Sequence, residues 1–175
     1  MILENLKNAL IREDLVIGPN SYEDILALYN SDENFARLSN NFPVKMETIK
    51  EEVSSIPPFT SLEKKYYISI YNFNRELVAV LDIIEEYSFK NKHGKNAIWI
   101  GLLQIDKKKQ NTGLGKIISK AIFESCRENG IEFIQLGVIK ENDNAFKFWT
   151  HVGFETFAEV NNGDFDLYLM EKIIE

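Results

Sequence analysis

Ala97-Ile98-Trp99-Ile100-Gly101-Leu102-Leu103-Gln104-Ile105, followed at once by Asp106-Lys107-Lys108-Lys109-Gln110-Asn111-Thr112-Gly113-Leu114-Gly115-Lys116, decides the fold. The first run is almost wholly apolar and reads as a central strand covered on both faces. After the second run, Leu114, Ile117, Ile118, Ala121, Ile122 and Cys126 make one helical stripe that stops at Asn129-Gly130. A strand, a glycine turn and a helix amino end bring free backbone N–H groups and the positive end of the helix dipole to one place. Phosphate is the natural ligand there. Glycine at 113 and 115 lets the main chain approach phosphate oxygens with no Cβ in the way, and Lys107 to Lys109 and Lys116 add charge. Two nucleotide motifs fit poorly. A P-loop needs Ser or Thr after its Lys, where Ile117 stands. A dinucleotide fingerprint needs a third glycine where Ile118 stands, and a strand that opens the fold instead of arriving in mid-chain.

Upstream of this unit, strand and helix patterns alternate. Leu3, Leu6 and Leu10 recur at helical spacing among polar residues and form an amphipathic arm. Leu15-Val16-Ile17 reads as a strand stopped by Gly18-Pro19. Ser21 with Asp24 caps a helix that buries Ile25, Leu26, Leu28 and Tyr29. A second helix is expected from about Val44 to Ser55, with Met46, Ile49 and Val53 inward, ending before Pro57-Pro58. Lys65 to Tyr71 and Leu77 to Ile84 are β-rich and joined by a short polar connection, the pattern of an antiparallel hairpin. Glu85 to Lys95 reads as a loop. Downstream, Phe133 to Ile139 is a strand, and Phe154 to Val160 and Phe165 to Met170 are the final strands.

Length and charge bound what such a fold can do. A chain of 175 residues buries one sizeable core, so residues 1–175 are expected to form a single domain. Hydrophobic residues at 45% and charged residues at 27% match an ordinary globular protein. Acids outnumber bases 27 to 20, a net charge of −7 that argues against nucleic acid and suits a small cationic partner. Cys126 is the only cysteine, which excludes an internal disulfide and a cysteine-based zinc cluster; it reads as a small buried residue. No run reaches the roughly 20 apolar residues of a membrane span, and the amphipathic arm lacks the pattern of a secretory signal. A cytoplasmic location is the resulting expectation, with no metal and no membrane partner.

A second motif follows the strand Phe133 to Ile139: Asn142-Asp143-Asn144-Ala145-Phe146-Lys147-Phe148-Trp149-Thr150-His151-Val152-Gly153-Phe154. With Gln110-x-x-Gly113-x-Gly115, this pair of spaced signatures resembles the GNAT superfamily of N-acetyltransferases over Ala97 to Phe154. The resemblance implies an α/β fold (α+β). Its mixed, mostly antiparallel central sheet has about six or seven strands flanked by helices, with a V-shaped split between the fourth and fifth strands. It also implies acetyl-CoA as cosubstrate. Its pantetheine arm would lie in that split against the main chain of Leu103, Gln104 and Ile105, an extended ligand completing a strand edge. Asn111, Thr112, Gly113, Leu114, Gly115 and Lys116 would hold its pyrophosphate, and Gln110, which opens the motif, would also belong to the cofactor-binding set. Asn142 would contact the pantetheine side, although its position before Ala145 and Phe148 equally suits a helix cap. Ala145, Phe148, Trp149 and Val152 fall at helical spacing and read first as core, Phe148 included.

The implied reaction is direct attack of an amine on the thioester, moving acetyl to a small molecule, a polyamine or a peptide amine. Trp149 stands where many members of that family carry a tyrosine that protonates the leaving thiolate, and indole has no useful acidity. The strand of Trp99 and Gly101 carries no acid where some members place a glutamate base. Catalytic residues therefore stay unassigned. Asp82, Glu85, Glu86, Asp164 and Asp166 are base candidates by position near strand ends. His93 and His151 lack metal-ligand spacing. A non-catalytic acetyl-CoA sensor or complex subunit stays open, as do the amine acceptor and a homodimer.

Overall fold

The computed structural model describes residues 2–38 and 42–175. Its elements are α1 (Ile2–Ile11), β1 (Leu15–Gly18), α2 (Tyr22–Ser31), α3 (Glu33–Leu38), α4 (Met46–Ser54), β2 (Lys65–Asn72), β3 (Leu77–Glu85), β4 (Ala97–Ile105), α5 (Leu114–Glu128), β5 (Phe133–Ile139), α6 (Asp143–His151), β6 (Glu155–Asn161) and β7 (Asp166–Ile173). Seven strands form one sheet in the order β1-β2-β3-β4-β5-β7-β6. Only β4 and β5 run parallel; the other neighbours are antiparallel. This is the mixed, mostly antiparallel sheet expected from the paired motifs.

Strand alternation sends apolar side chains to both faces of the sheet. On one face Leu81, Ile83, Ile98 and Ile134 pack with Ile2, Leu6 and Leu10 of α1, Ile118 and Ile122 of α5, and Trp149 of α6. The N-terminal arm is thus a helix docked on the core, and Arg12 ties its end to Glu124 of α5 at 2.9 Å. On the other face Val80 meets Ile25, Leu28 and Tyr29 of α2, Ala36 of α3 and Ile49 of α4. The Ser21 hydroxyl accepts a bond from Asp24 N at 3.3 Å, as the capping pattern requires. The helix α3 gives no apolar stripe of its own and was not legible in the sequence.

The expectation that β4 is covered on both faces holds only for its first half. Ala97, Ile98 and Ile100 are buried, whereas Gly101 is exposed and Leu102, Leu103 and Ile105 are half-buried. The cause is topological. β4 pairs with β5 from Ala97↔Phe133 to Ile100↔Leu136 and no further. Residues 101–105 and 137–139 continue on diverging paths, and the space between them is open.

Gly101 marks the point of divergence. In the ladder with β3, Asp82 faces Leu102 and Ile83 faces Ile100, so Gly101 is the extra residue of a β-bulge. A Cβ at Gly101 would stand 2.8 Å from Asp82 Oδ2, so glycine is required by the carboxylate behind it.

Candidate active site

The gap between β4 and β5 opens into a cavity of about 690 Å³. One wall is β4 from Ile100 to Ile105, the opposite wall is Leu136 to Ile139 of β5, and the turn before α5 closes one end. Asn142, Ala145, Phe148 and Trp149 of α6 and its cap complete the side next to the turn, while Asp32, Asn34, Phe35 and Glu52 line the side formed by the N-terminal helices.

The phase of the β3–β4 ladder decides which main-chain groups face this cavity. Asp106 N donates to Val78 O at 2.9 Å. Counting back along an antiparallel pair, Gln104 and Leu102 turn their N–H and C=O groups toward β3, while Leu103 and Ile105 turn theirs toward the gap. Ile105 O is taken by the Gln110 side-chain amide at 3.1 Å. Leu103 therefore presents the open edge. Gln104 contributes its side chain elsewhere: its amide reaches Asp32 Oδ2 at 3.4 Å.

At the turn, Asn111 has φ 60° and Gly113 has φ 90°, left-handed conformations that reverse the chain into α5. The first backbone bond of the helix runs from Ile117 N to Gly113 O at 3.1 Å. The amides of Gly113, Leu114, Gly115 and Lys116 have no acceptor among the described residues, and they crown a 15-residue helix. The two glycines serve different needs. Nothing lies within 4 Å of a Cβ at Gly113, whose requirement is conformational, whereas a Cβ at Gly115 would meet the Phe148 ring at 3.1 Å. Gly115 thus lets α5 and α6 approach each other. Thr112 Oγ1 donates to Lys109 O at 2.6 Å and stiffens the turn. Lys107 and Lys109 lean toward Asp32 and Glu76, at 3.5 and 3.9 Å, while Lys116 lines the cavity.

Asn142 caps α6, its Oδ1 accepting from Ala145 N at 3.1 Å, and it also lines the cavity. Phe148 is half-buried: it packs against the core as expected and also lines the cavity wall. Trp149 is the buried member of the pair, edge-on to Phe148 and to Phe154 at 4.9 and 5.1 Å between ring centres.

The proposed acids scatter. Glu85 accepts from Tyr66 Oη at 3.1 Å and Glu86 pairs with Lys64, both away from the cavity. Asp164 and Asp166 line a separate cavity of about 460 Å³ beside Arg37 and Glu141. His93 is bound to Glu171 at 2.8 Å and stacked on Phe133; it pins the 86–96 loop to the sheet. His151 is exposed at the end of α6. Among the described residues no group of three or more His, Cys, Asp or Glu side chains could hold a metal ion, and no helix is long and apolar enough to cross a membrane.

Asp82 alone of these candidates approaches the cavity, from behind the Gly101 bulge. Its Oδ2 pairs with Lys65 Nζ at 2.7 Å, and its buried Oδ1 has no partner among the described residues. Beside it lies a group that sequence reading missed. Glu52 of α4 faces the cavity and accepts a hydrogen bond from Tyr29 Oη at 2.7 Å; Tyr29 Oη is also 2.7 Å from Tyr67 Oη. Burial pushes the Glu52 carboxyl above its ordinary range; the Tyr29 hydrogen bond opposes this and the Asp82 charge adds to it. Burial likewise raises Asp82 despite Lys65, and raises Tyr29 and Tyr67 well above ordinary phenols. The sequence did carry a signal: Glu52 falls three residues after Ile49, on the inward face of an amphipathic helix.

A mixed sheet splayed along one parallel pair defines a class of protein. Its mouth holds a turn with free backbone amides and its far wall a half-buried acid. The chain belongs to the acetyltransferase (GNAT) family, which it matches over residues 24–154. It is similar to a protein of Bacillus subtilis subsp. natto named probable spermine N(1)-acetyltransferase, with 31% identity over 88 residues, 49% of this chain and 57% of that protein. The chain thus matches little more than half the length of that curated relative. Among solved structures, an acetyltransferase from Thermus thermophilus superposes with a TM-score of 0.68 at 17% identity, covering 91% of this chain and 96% of the other. A Bacillus subtilis acetyltransferase solved in complex with CoA gives a TM-score of 0.61 at 14% identity, covering 92% and 98%. At these identities the likeness to the solved structures is one of fold.

Proposed function

We propose that this protein transfers the acetyl group of acetyl-CoA to a primary amine by direct attack in the cavity between β4 and β5. The observation that carries the reading is the parting of the two strands after Ile100, which leaves the Leu103 main chain unpaired in line with the free amides of residues 113–116. These residues fit the cosubstrate: Leu103 N–H and C=O would pair with the amides of the pantetheine arm, the residue 113–116 amides and Lys116 would take the diphosphate, and Asn142 would meet the arm from the far side.

The chemistry falls to the acceptor side. An amine arrives as an ammonium ion and must lose a proton before its nitrogen can attack. Glu52, a carboxylate whose pKa is raised by burial, is suited to accept that proton, with Tyr29 holding its orientation. Asp82 and Lys65 set the charge behind it. The C–N bond then forms, the nitrogen gives up its second proton to solvent, the C–S bond breaks, and the thiolate takes a proton from solvent, since no tyrosine among the described residues lines the cavity. Asp32 and Glu52 give the acceptor side an acidic character that favours a cationic amine. The net charge of −7 adds a field of the same sign, which disfavours nucleic acid as a partner.

The test is release of coenzyme A thiol from acetyl-CoA across a panel of primary amines that includes spermine, spermidine, simple diamines and peptide amines. Thiol release that depends on one of these amines is the expected result. Tight binding of acetyl-CoA with no turnover on any amine would instead favour a sensor or subunit.

A further inference from the structure

Asp32 sits where the two halves of the cavity meet. It is the residue between α2 and α3, 7% exposed, and its backbone serves both helices: its N–H donates to Tyr29 O at 3.3 Å and its carbonyl accepts from Ala36 N at 3.0 Å. The side chain reaches further. Oδ1 accepts from Phe35 N at 3.3 Å, fixing the first turn of α3, while Oδ2 accepts from Gln110 Nε2 at 2.7 Å and Gln104 Nε2 at 3.4 Å. Lys107 Nζ stands 3.5 Å from Oδ1. One buried carboxylate thus joins the helix that carries Asn34 and Phe35 to the turn that opens α5.

The group behaves as a committed anion. Burial raises its pKa, but the Gln110 bond, the Phe35 N–H, the Lys107 charge and the Gln104 bond outweigh burial and hold the carboxyl below its ordinary value. Gln110 is occupied in turn: the same amide nitrogen that meets Asp32 also donates to Ile105 O at 3.1 Å. Its side chain therefore acts on the protein, leaving the anion to the backbone amides beyond it.

We infer that Asp32 is a positioning residue that couples the two substrate sides: ordering the turn around the cosubstrate diphosphate fixes Gln110, and through Asp32 fixes α3 and the acceptor wall. The inference rests on the acetyltransferase reading of the cavity. By linkage the effect is reciprocal, so a bound amine tightens acetyl-CoA by the same factor as acetyl-CoA tightens the amine.

Hydrogen exchange on the full chain, with and without coenzyme A, tests it. In the wild type, coenzyme A is expected to slow exchange at residues 111–117 and also at residues 35–38 of α3. In Asp32→Asn, which places an amide NH₂ or a neutral oxygen before Gln110, and in Gln110→Ala, slowing is expected at 111–117 alone. A grid of initial rates over acetyl-CoA and the best amine of the panel gives the second readout: an interaction factor of at least about fivefold in the wild type and near one in either variant. A variant that merely folds poorly lowers kcat through the active fraction and leaves this factor intact. Wild-type protection confined to 111–117, or α3 protection that survives in both variants, overturns the inference. Failure of coenzyme A to protect any residue overturns instead the cosubstrate reading on which it rests.

Discussion

Replacing Gly101 by alanine puts a methyl group where the bulge of β4 meets Asp82. The added Cβ would lie 2.8 Å from Asp82 Oδ2 and 3.3 Å from its Cγ, and the carboxylate cannot simply swing aside because Lys65, whose side chain is 5% exposed, holds it at 2.7 Å. Overpacking of this kind costs about 1–3 kcal/mol. Replacing a strand glycine returns about 0.5–1 kcal/mol of backbone entropy, which leaves a net loss of about 0–2.5 kcal/mol. For a chain of this size that is a fall in Tm of up to about 10 °C. Urea unfolding of Gly101→Ala, Asp82→Ala and the double variant gives the coupling directly. In the Asp82→Ala background the clash is gone, so Gly101→Ala should be neutral or stabilising. An equal change in both backgrounds would refute the claim that Asp82 is what demands a glycine there.

Glu52→Gln should lower kcat/KM by about 10²–10⁴-fold and remove the acidic limb of its pH profile, read by thiol release at saturating acetyl-CoA. Glu52 and Asp82 are both held above their ordinary pKa values, so the folded chain keeps protons that the unfolded chain releases. Their contribution to stability is complete below the ordinary carboxylate range and is lost as pH rises through the raised values; Asp32, held low, contributes at neutral pH and is lost as pH falls through its lowered value. The urea midpoint against pH should therefore lose slope above the ordinary carboxylate range in Glu52→Gln, and on the acid side in Asp32→Asn. Gly113→Ala must hold φ 90°, a strain of about 1–2 kcal/mol, and should weaken coenzyme A binding in calorimetry. Trp149→Ala, at a buried site between Phe148 and Phe154, should cost about 3–5 kcal/mol in urea unfolding.

Much of this architecture could be read from the chain because local signals and tertiary packing agree. The stripe of α5, the Ser21 cap and the hairpin of β2 and β3 are dictated by neighbours in sequence, and they fold as the pattern says. The half-buried state of Leu102, Leu103 and Ile105 was not readable from the apolar run itself, which looks alike whether covered or left open for a ligand; only the resemblance, with its split between the fourth and fifth strands, implied an opening there. On the side proposed for the cosubstrate, the turn at 110–116 and Asn142 stand together on the cavity, close to one another in the chain. The side proposed for the acceptor is assembled from distant segments: Asp32, Glu52, Tyr29, Lys65 and Asp82 meet only through the sheet order. Position near a strand end proposed five acids, and only Asp82 comes near the cavity. Gln110 shows the same limit from the other direction, for its motif position suggested a ligand contact while its amide is spent on Asp32 and Ile105 O.

A crystal structure of the chain with coenzyme A tests the central claim most directly. The pantetheine arm is expected between β4 and β5, hydrogen-bonded to the main chain of Leu103, with the diphosphate on the amides of residues 113–116 and the sulfur opening toward Glu52. Coenzyme A bound elsewhere, or bound with the Leu103 edge bare, would contradict it.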